Sequence, residues 1–442
     1  MKRYISSITY SWLIAALLAA TIGCKKDYQD PSGPSAEEAY STVNAVTNAA
    51  VGLQNWYSRD RVGLLYTTVT SGSLLTGETF VTNRGNTDEA QLGTGGSTLL
   101  NNNIIVTGMW AVTNKINYEA DSILRRSQTL AFPDKGYASG LVAYTSIFKA
   151  LAIGVQANFW EKVPSTSGKP NDAAPNVTFI SGKDGYKKAV AVLDNAINAV
   201  NAAPISDAFL RNIPKSINVV NTLYALKARY ALYAGDYTIA LEAAGKVDLT
   251  ANGRSSLQYN PQVMNPIFTL VTSTNNIYQV VDSAMGLPVA LQPDLTDKRV
   301  PFYISRPVPP GPRFSINGFF STNVDSVPIF LPGEILLIQA ECHARQHNVE
   351  EGLKALNRVV TKKPADDPFR VGADLPKVNT ADEATLLTLI YKHRRIELFM
   401  GGQELEDSRR FGRPVTERKR NYFPYPFVER NDNPNTPDDP AF

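Results

Sequence analysis

Residues 221–247, NTLYALKARYALYAGDYTIALEAAGKV, constrain this chain most, because their spacing fits a tight helical hairpin. Leu223, Leu226, Tyr230 and Tyr233 recur at i, i+3, i+7 and i+10 and form one stripe of a helix. Ala225, Ala228 and Ala231 lie on a neighbouring face and let another helix approach closely. Gly235 accepts the left-handed backbone that ends a helix, and Asp236 is placed to cap the next one. Tyr237, Ala240, Leu241, Ala244 and Val247 then make the stripe of the return helix.

A second copy follows in residues 329–360. Ile335, Ile338 and Cys342 make one stripe, and Leu337, Ala340 and Ala344 make another. Asn348 is placed at the turn as the counterpart of Gly235, since Asn tolerates the left-handed region. Val349, Gly352, Leu353, Leu356 and Val359 repeat the return stripe. Large and small residues alternating across such hairpins mark tetratricopeptide-like units. One unit cannot bury its own face, so a stack is expected. The fold class is therefore mostly α, with about four helical pairs.

Hydrophobic content of 43% and charged content of 19% suit a globular chain of 442 residues. Losing Lys2 and Arg3 with a leader takes Lys+Arg from 44 to 42, against 41 Asp+Glu. That balance gives no electrostatic reason to expect nucleic acid. The one basic cluster, residues 409–420, reads as a solvated face. At the N-terminus, Lys2 and Arg3 precede an apolar run over residues 12–22 that ends in Thr-Ile-Gly-Cys. This is similar to a bacterial lipoprotein signal, which makes residues 1–23 the signal peptide and Cys24 the lipidated residue. Residues 24–35 are then a tether. No later segment reads as apolar enough to cross a membrane. Cys342, on an apolar stripe, is expected to pack as a small hydrophobe.

Residues 36–442 read as one domain. A helix is expected over 36–57, with Ser35 and Glu38 as a capping box. In residues 61–109, 23 of 49 residues are Gly, Thr or Asn, which predicts loops and short strands. Helices are expected over 109–130, 141–159 and 186–200, the last two as a hairpin. Residues 250–332 form a Pro-rich insert of short strands and ordered loops. Helices over 381–400 and 404–411 make a last pair, and residues 421–442 lie extended over the surface.

Several segments in this order resemble the SusD/RagB-type nutrient-binding lipoproteins. They are the Trp-containing helix at 110–124 and FKALAIGVQANFWEKVP at 148–164. The Ala225–Ala240 stretch, residues 334–358, RRIELFMGGQELEDSRRFG at 394–412 and residues 425–433 complete the set. His393, Gly401 and Glu404 depart from the family's Glu, Glu and Arg, and Leu331 replaces an Arg before Glu334. The resemblance implies a helical scaffold with an irregular ligand side and a place on the outer membrane facing the exterior. It also implies a SusC-type TonB-dependent barrel as partner and an oligosaccharide or peptide as ligand. It implies no catalysis and no cofactor.

A sugar platform needs aromatic faces beside hydrogen-bonding groups. Residues 61–109 offer Tyr66, Thr76, Glu78, Phe80, Asn83, Arg84, Asn86 and Asp88. Trp56, near a helix end, is a further platform, whereas Trp110 and Trp160 read as core. A second set is Tyr303, Arg306, Phe314, Phe319 and Phe320. His343 and His347 share a helical spacing, but Ala344 stands where a zinc peptidase needs Glu, so no metal site is read there. One rival reading is a lipid-anchored glycoside hydrolase using two carboxylates such as Glu78 and Asp88. Another is an assembly scaffold of tetratricopeptide type.

Overall fold

A computed structural model describes residues 40–167, 177–273, 277–306 and 314–442. Cys24, the leader and the tether lie outside these residues. Helix α1, Val43–Ser58, is capped by Thr42, whose Oγ1 accepts the Ala45 N–H. Residues 40–42 are not α-helical, so within the described residues the expected helix begins at Val43; the expected capping box, Ser35 and Glu38, lies outside them.

Residues 61–109 correct the expectation of loops. They form α2 (Leu64–Leu75), β1 (Thr79–Val81), α3 (Thr87–Thr94) and the start of α4 (Ile104–Ser127). The reason is burial. Every residue of α2 is buried, and two of its hydroxyls turn back onto local carbonyls, Thr67 donating to Gly63 O at 3.1 Å and Ser73 to Thr70 O at 3.4 Å, while Thr70 pairs with the Tyr278 hydroxyl at 3.0 Å. Small polar residues thus become core when the surrounding helices demand a thin one, and tertiary packing overrides local propensity.

The scaffold continues with α5 (Lys135–Phe159), β2 (Lys162–Pro164), β3 (Phe179–Ser181), α6 (Gly182–Ala202), α7 (Val219–Ala234) and α8 (Tyr237–Ala244). Further on come α9 (Pro332–Arg345), α10 (Val349–Val360), α11 (Glu383–Glu397) and α12 (Glu404–Arg410). Among the described residues, α1 with α4, α5 with α6, α7 with α8 and α9 with α10 make four stacked pairs. α11 lies on α9 and α10, and α12 packs on α11, α2 and α5. Gly235 takes the left-handed conformation (φ 81°). In the second copy His347, not Asn348, does so (φ 62°), and Asn348 is the N-cap residue with ordinary φ. The Gly235–Asp236 corner therefore corresponds to His347–Asn348.

By length and composition α5 could cross a membrane, contrary to the sequence expectation, but 83% of its most apolar window is buried in the bundle. Its Gly154 meets the Tyr230 ring of α7 so closely that a Cβ would collide with it. Cys342 is buried and reduced, as its stripe predicted.

The insert is built of two-residue and three-residue strands. β4 (Ser256–Leu257) pairs with β8 (Val327–Pro328), and β6 (Ile304–Ser305) with β7 (Ser315–Ile316). β5 (Tyr278–Val280) runs antiparallel to β1. The C-terminal tail is not merely draped over the surface. Phe423 and Tyr425 are fully buried, the Tyr425 ring standing edge-on to Trp110 at 5.9 Å. Trp160 donates to Pro424 O at 3.1 Å, so the tail is clamped by the aromatic core.

Candidate functional site

The β1–β5 ribbon sets which predicted residues reach solvent. Strand alternation turns Thr79 inward and Phe80 outward, opposite Gln279, and Phe80 is 44% exposed. The chain then turns tightly: Asn83 Oδ1 accepts the Gly85 N–H at 3.1 Å, and Asn86 Nδ2 donates to Asn83 O at 3.2 Å. Arg84 stands at the tip of this turn, exposed. Phe80, Asn83, Arg84 and Asn86 thus share one short ribbon and turn, with a ring, amides and a cation.

Tyr66 is placed differently. It is fully buried, and its hydroxyl donates to Glu89 at 2.7 Å. Arg61 grips the same carboxylate with Nε at 3.0 Å and Nη2 at 2.6 Å. Asp88 accepts the Ile104 N–H at the start of α4 and lies 3.6 Å from Arg61. This cluster bolts α3 beneath the ribbon; its key residues, Arg61 and Glu89, carry no sequence signal beyond their charge. Trp56 is half-buried, with the Arg59 guanidinium 3.6 Å and the Lys115 ammonium 4.5 Å from its ring centre.

Glu78 is also fully buried, so it cannot serve as a surface contact. Its Oε1 faces Arg395 at 3.3 Å, and its Oε2 accepts the Met400 N–H at 3.2 Å. Burial pushes its carboxyl up to about 7, with Arg395 opposing. Glu404 is buried beside it, and burial followed by the Glu78 charge lifts it well above the ordinary range. Its Oε1 accepts the Gly402 N–H at 3.0 Å, while Oε2 has no partner. Glu78 and Asp88 belong to separate clusters, Glu78 with Arg395 and the Met400 N–H, Asp88 with Arg61 and the Ile104 N–H.

The basic cluster at 409–420 corrects the solvated-face reading. The Arg410 side chain is only 8% exposed and binds both oxygens of Glu341, at 2.8 and 2.9 Å, and Asp407 at 2.7 Å. Arg394 pairs with Asp407, and Arg229 with Glu334 at 2.5 Å. His393, one of the family departures, is buried with Nδ1 2.8 Å from Arg299, which also pairs with Asp297 and Glu397. Burial, then the Arg299 charge, hold His393 well below the usual imidazole range, so it faces the guanidinium as a neutral acceptor. These lattices lock α9, α11 and α12 together behind the ribbon.

In the second set, Tyr303 is buried and donates to Glu397 O at 2.6 Å, and Phe314 and Phe320 are buried too. Phe319 is half-buried, 5.4 Å from the Phe302 ring centre. Arg306 alone of this set is exposed, over the Phe314 ring. Thr76 is buried and donates to Gly72 O at 2.8 Å. His347 bonds Glu383 at 2.7 Å, and the described residues contain no group of three or more His, Cys, Asp or Glu placed to hold a metal ion.

No protein-family model matches the chain, and no curated protein matches it. Solved structures do. A SusD superfamily protein from Parabacteroides distasonis is 14% identical with a TM-score of 0.69, over 93% of this chain and 100% of that one. A SusD-like carbohydrate-binding protein from Bacteroides fragilis is 15% identical with a TM-score of 0.68, over 90% and 99%. Another so described, from Bacteroides vulgatus, is 15% identical with a TM-score of 0.66, over 87% and 86%. The mostly helical scaffold has the fold of these SusD-like structures.

Proposed function

We propose that this protein is a cell-surface lipoprotein that captures an oligosaccharide and delivers it to a SusC-type TonB-dependent transporter. The observation that carries the reading is the match, over about nine-tenths of the chain, to SusD-like structures described as carbohydrate-binding. The ribbon supports it: Phe80 offers a ring to the C–H face of a sugar, and Asn83, Arg84 and Asn86 offer donors and acceptors to its hydroxyls. Trp56 is a further platform; a sugar stacking on it must displace or share Arg59 and Lys115. Tyr66 and Glu78 act from below, by holding α3 and the strand rather than touching ligand. In this reading Cys24 carries the acyl chains, the tether lifts the domain from the outer membrane, and ligand is held between the ribbon side and the barrel. The role is binding and release, with no bond broken.

The test is purification of the native lipoprotein from its own outer membrane in mild detergent. A TonB-dependent barrel in stoichiometric amount is the expected companion; its absence from otherwise intact complexes would remove the delivery role. Titration of the mature protein with oligosaccharides tests the site. Trp56→Ala and Arg84→Ala should each weaken binding about tenfold without changing the helical circular dichroism. Unchanged affinity in both would reject this choice of site.

A further inference from the structure

A wide cleft that shares no lining residue with the ribbon lies between residues 204–220, which run from the end of α6 into α7, and residues 251–258. It holds about 940 Å³, with Phe369 and Ser326 also in its lining. That is the upper end of the range of small-molecule sites.

Its walls are stapled. Ser256 N donates to Ser216 O at 3.0 Å, Ile217 bridges Ser255, and Asn218 N donates to Ser255 Oγ at 2.9 Å. Below them Asn221 Nδ2 donates to Asp248 O and Gly253 O at 2.9 and 2.7 Å. The concavity is therefore preformed, and a ligand need not order it.

Its chemistry is one-sided. The lining contains two cations, Lys215 and Arg254, and no carboxylate. Lys215 makes no ion pair or hydrogen bond among the described residues. Arg254 is aimed by carbonyls, with Nε donating to Ala251 O at 3.2 Å and Nη1 to Pro368 O at 3.4 Å. Carbonyls orient the guanidinium and leave its charge uncompensated. Ser216 contributes its backbone carbonyl to the staple, and its Oγ is enclosed. The side chains of Asn252 and Gln258 are exposed and make no hydrogen bond among the described residues. Leu210 and Val220, each 39% exposed, and the half-buried Phe369 supply apolar surface.

We propose that this cleft is a second saccharide site, selective for sugars that carry carboxylate or sulfate groups. The proposal rests on the saccharide-binding reading given above. The C–H face of the sugar lies on the apolar surface; Asn252 and Gln258 pair its hydroxyls; Lys215 and Arg254 meet its anionic group. A neutral sugar leaves both cations without a counter-charge, whereas an anion forms the stronger charge-assisted bonds. Two cations without a stacking series suit a short acidic sugar and not a nucleic acid strand.

The test is calorimetric titration of the mature protein with oligogalacturonate, a heparin-derived oligosaccharide and a neutral gluco-oligosaccharide. Lys215 and Arg254 are exposed, so the double variant K215A/R254A should fold normally, checked by circular dichroism. Acidic sugars should bind the double variant at least about tenfold more weakly than the parent, and binding to the parent should be the more salt-dependent. Arg84→Ala should leave this binding unchanged. Acidic sugars that bind the parent and the double variant equally would overturn the cleft and leave the saccharide reading standing. Binding of neutral sugars alone would do the same. No binding of any of the three sugars would overturn both readings, and capture of an oligoglutamate instead would replace the sugar with an acidic peptide.

Discussion

Replacing Glu404 with Gln isolates the least usual electrostatic feature of the fold, two buried carboxyls sharing one guanidinium. Arg395 faces Glu78 and also donates to the Tyr391 hydroxyl at 2.8 Å, so it compensates one negative charge, not two. Glu404 therefore keeps its proton in the folded chain well above the pH at which it loses it unfolded. An acid whose folded pKa is raised adds no cost below its unfolded value. It makes the folded state progressively less stable as pH rises from about 4.5 toward the folded value. Over that window each retained proton costs about 1.4 kcal/mol per pH unit. Glu78, lifted from 4.5 to about 7, loses about 3 kcal/mol in this way by neutral pH. The amide of the Glu404→Gln variant mimics the protonated acid, and its carbonyl can still accept the Gly402 N–H. Urea unfolding of the mature parent and variant at about pH 5.5 and about pH 6.5 should show the parent losing about 1.4 kcal/mol more than the variant. At about pH 4 the two should agree within about 1 kcal/mol. Parallel pH profiles would refute the reasoning, because they would mean that Glu404 is ionised in the folded protein and that water or an unrecognised cation reaches it.

Glu341 should behave with the opposite sign. Against the upward push of burial, Arg410 pulls it down to about 2, so its stabilisation is full above about pH 4.5 and is lost as pH falls toward 2. Glu341→Gln should cost about 3–5 kcal/mol at pH 7 in urea unfolding, by leaving Arg410 half-paired in the interior; a loss under about 1 kcal/mol at pH 7 would place the pair in solvent. Gly154→Ala should destabilise by about 1–3 kcal/mol, since the added methyl must displace the Tyr230 ring, and a smaller residue at 230 should recover part of the loss. An unchanged melting temperature in Gly154→Ala would show that α5 and α7 are packed less tightly than described.

What the sequence made legible follows from period and size. The stripes through Leu223, Tyr230 and Tyr233, and through Ile335 and Cys342, are read from spacing alone, and both became core. The left-handed corner was read correctly at Gly235, where the residue type announces it. It was misplaced by one position in the second copy, because His347 carries no such mark and Asn348 does. Residues 64–75 failed for a deeper reason: threonine, serine and glycine signal a loop only while they face water. Once α1, α4 and α12 surround them, hydroxyls such as those of Thr67 and Ser73 bond local carbonyls and their small size becomes the reason they fit. The candidate site divides along the same line. Tyr66 and Phe80 are equally aromatic in the sequence, yet pairing with β5 turns Phe80 outward, while Glu89 and Arg61 draw Tyr66 inward. Those partners come from other segments, so exposure could not be computed from residue type. The same holds for Lys215 and Arg254, ordinary surface cations until the Ile217–Ser255 bridge sets their two segments side by side. Binding residues on a scaffold of this kind are thus fixed by which loops the helical pairs bring together.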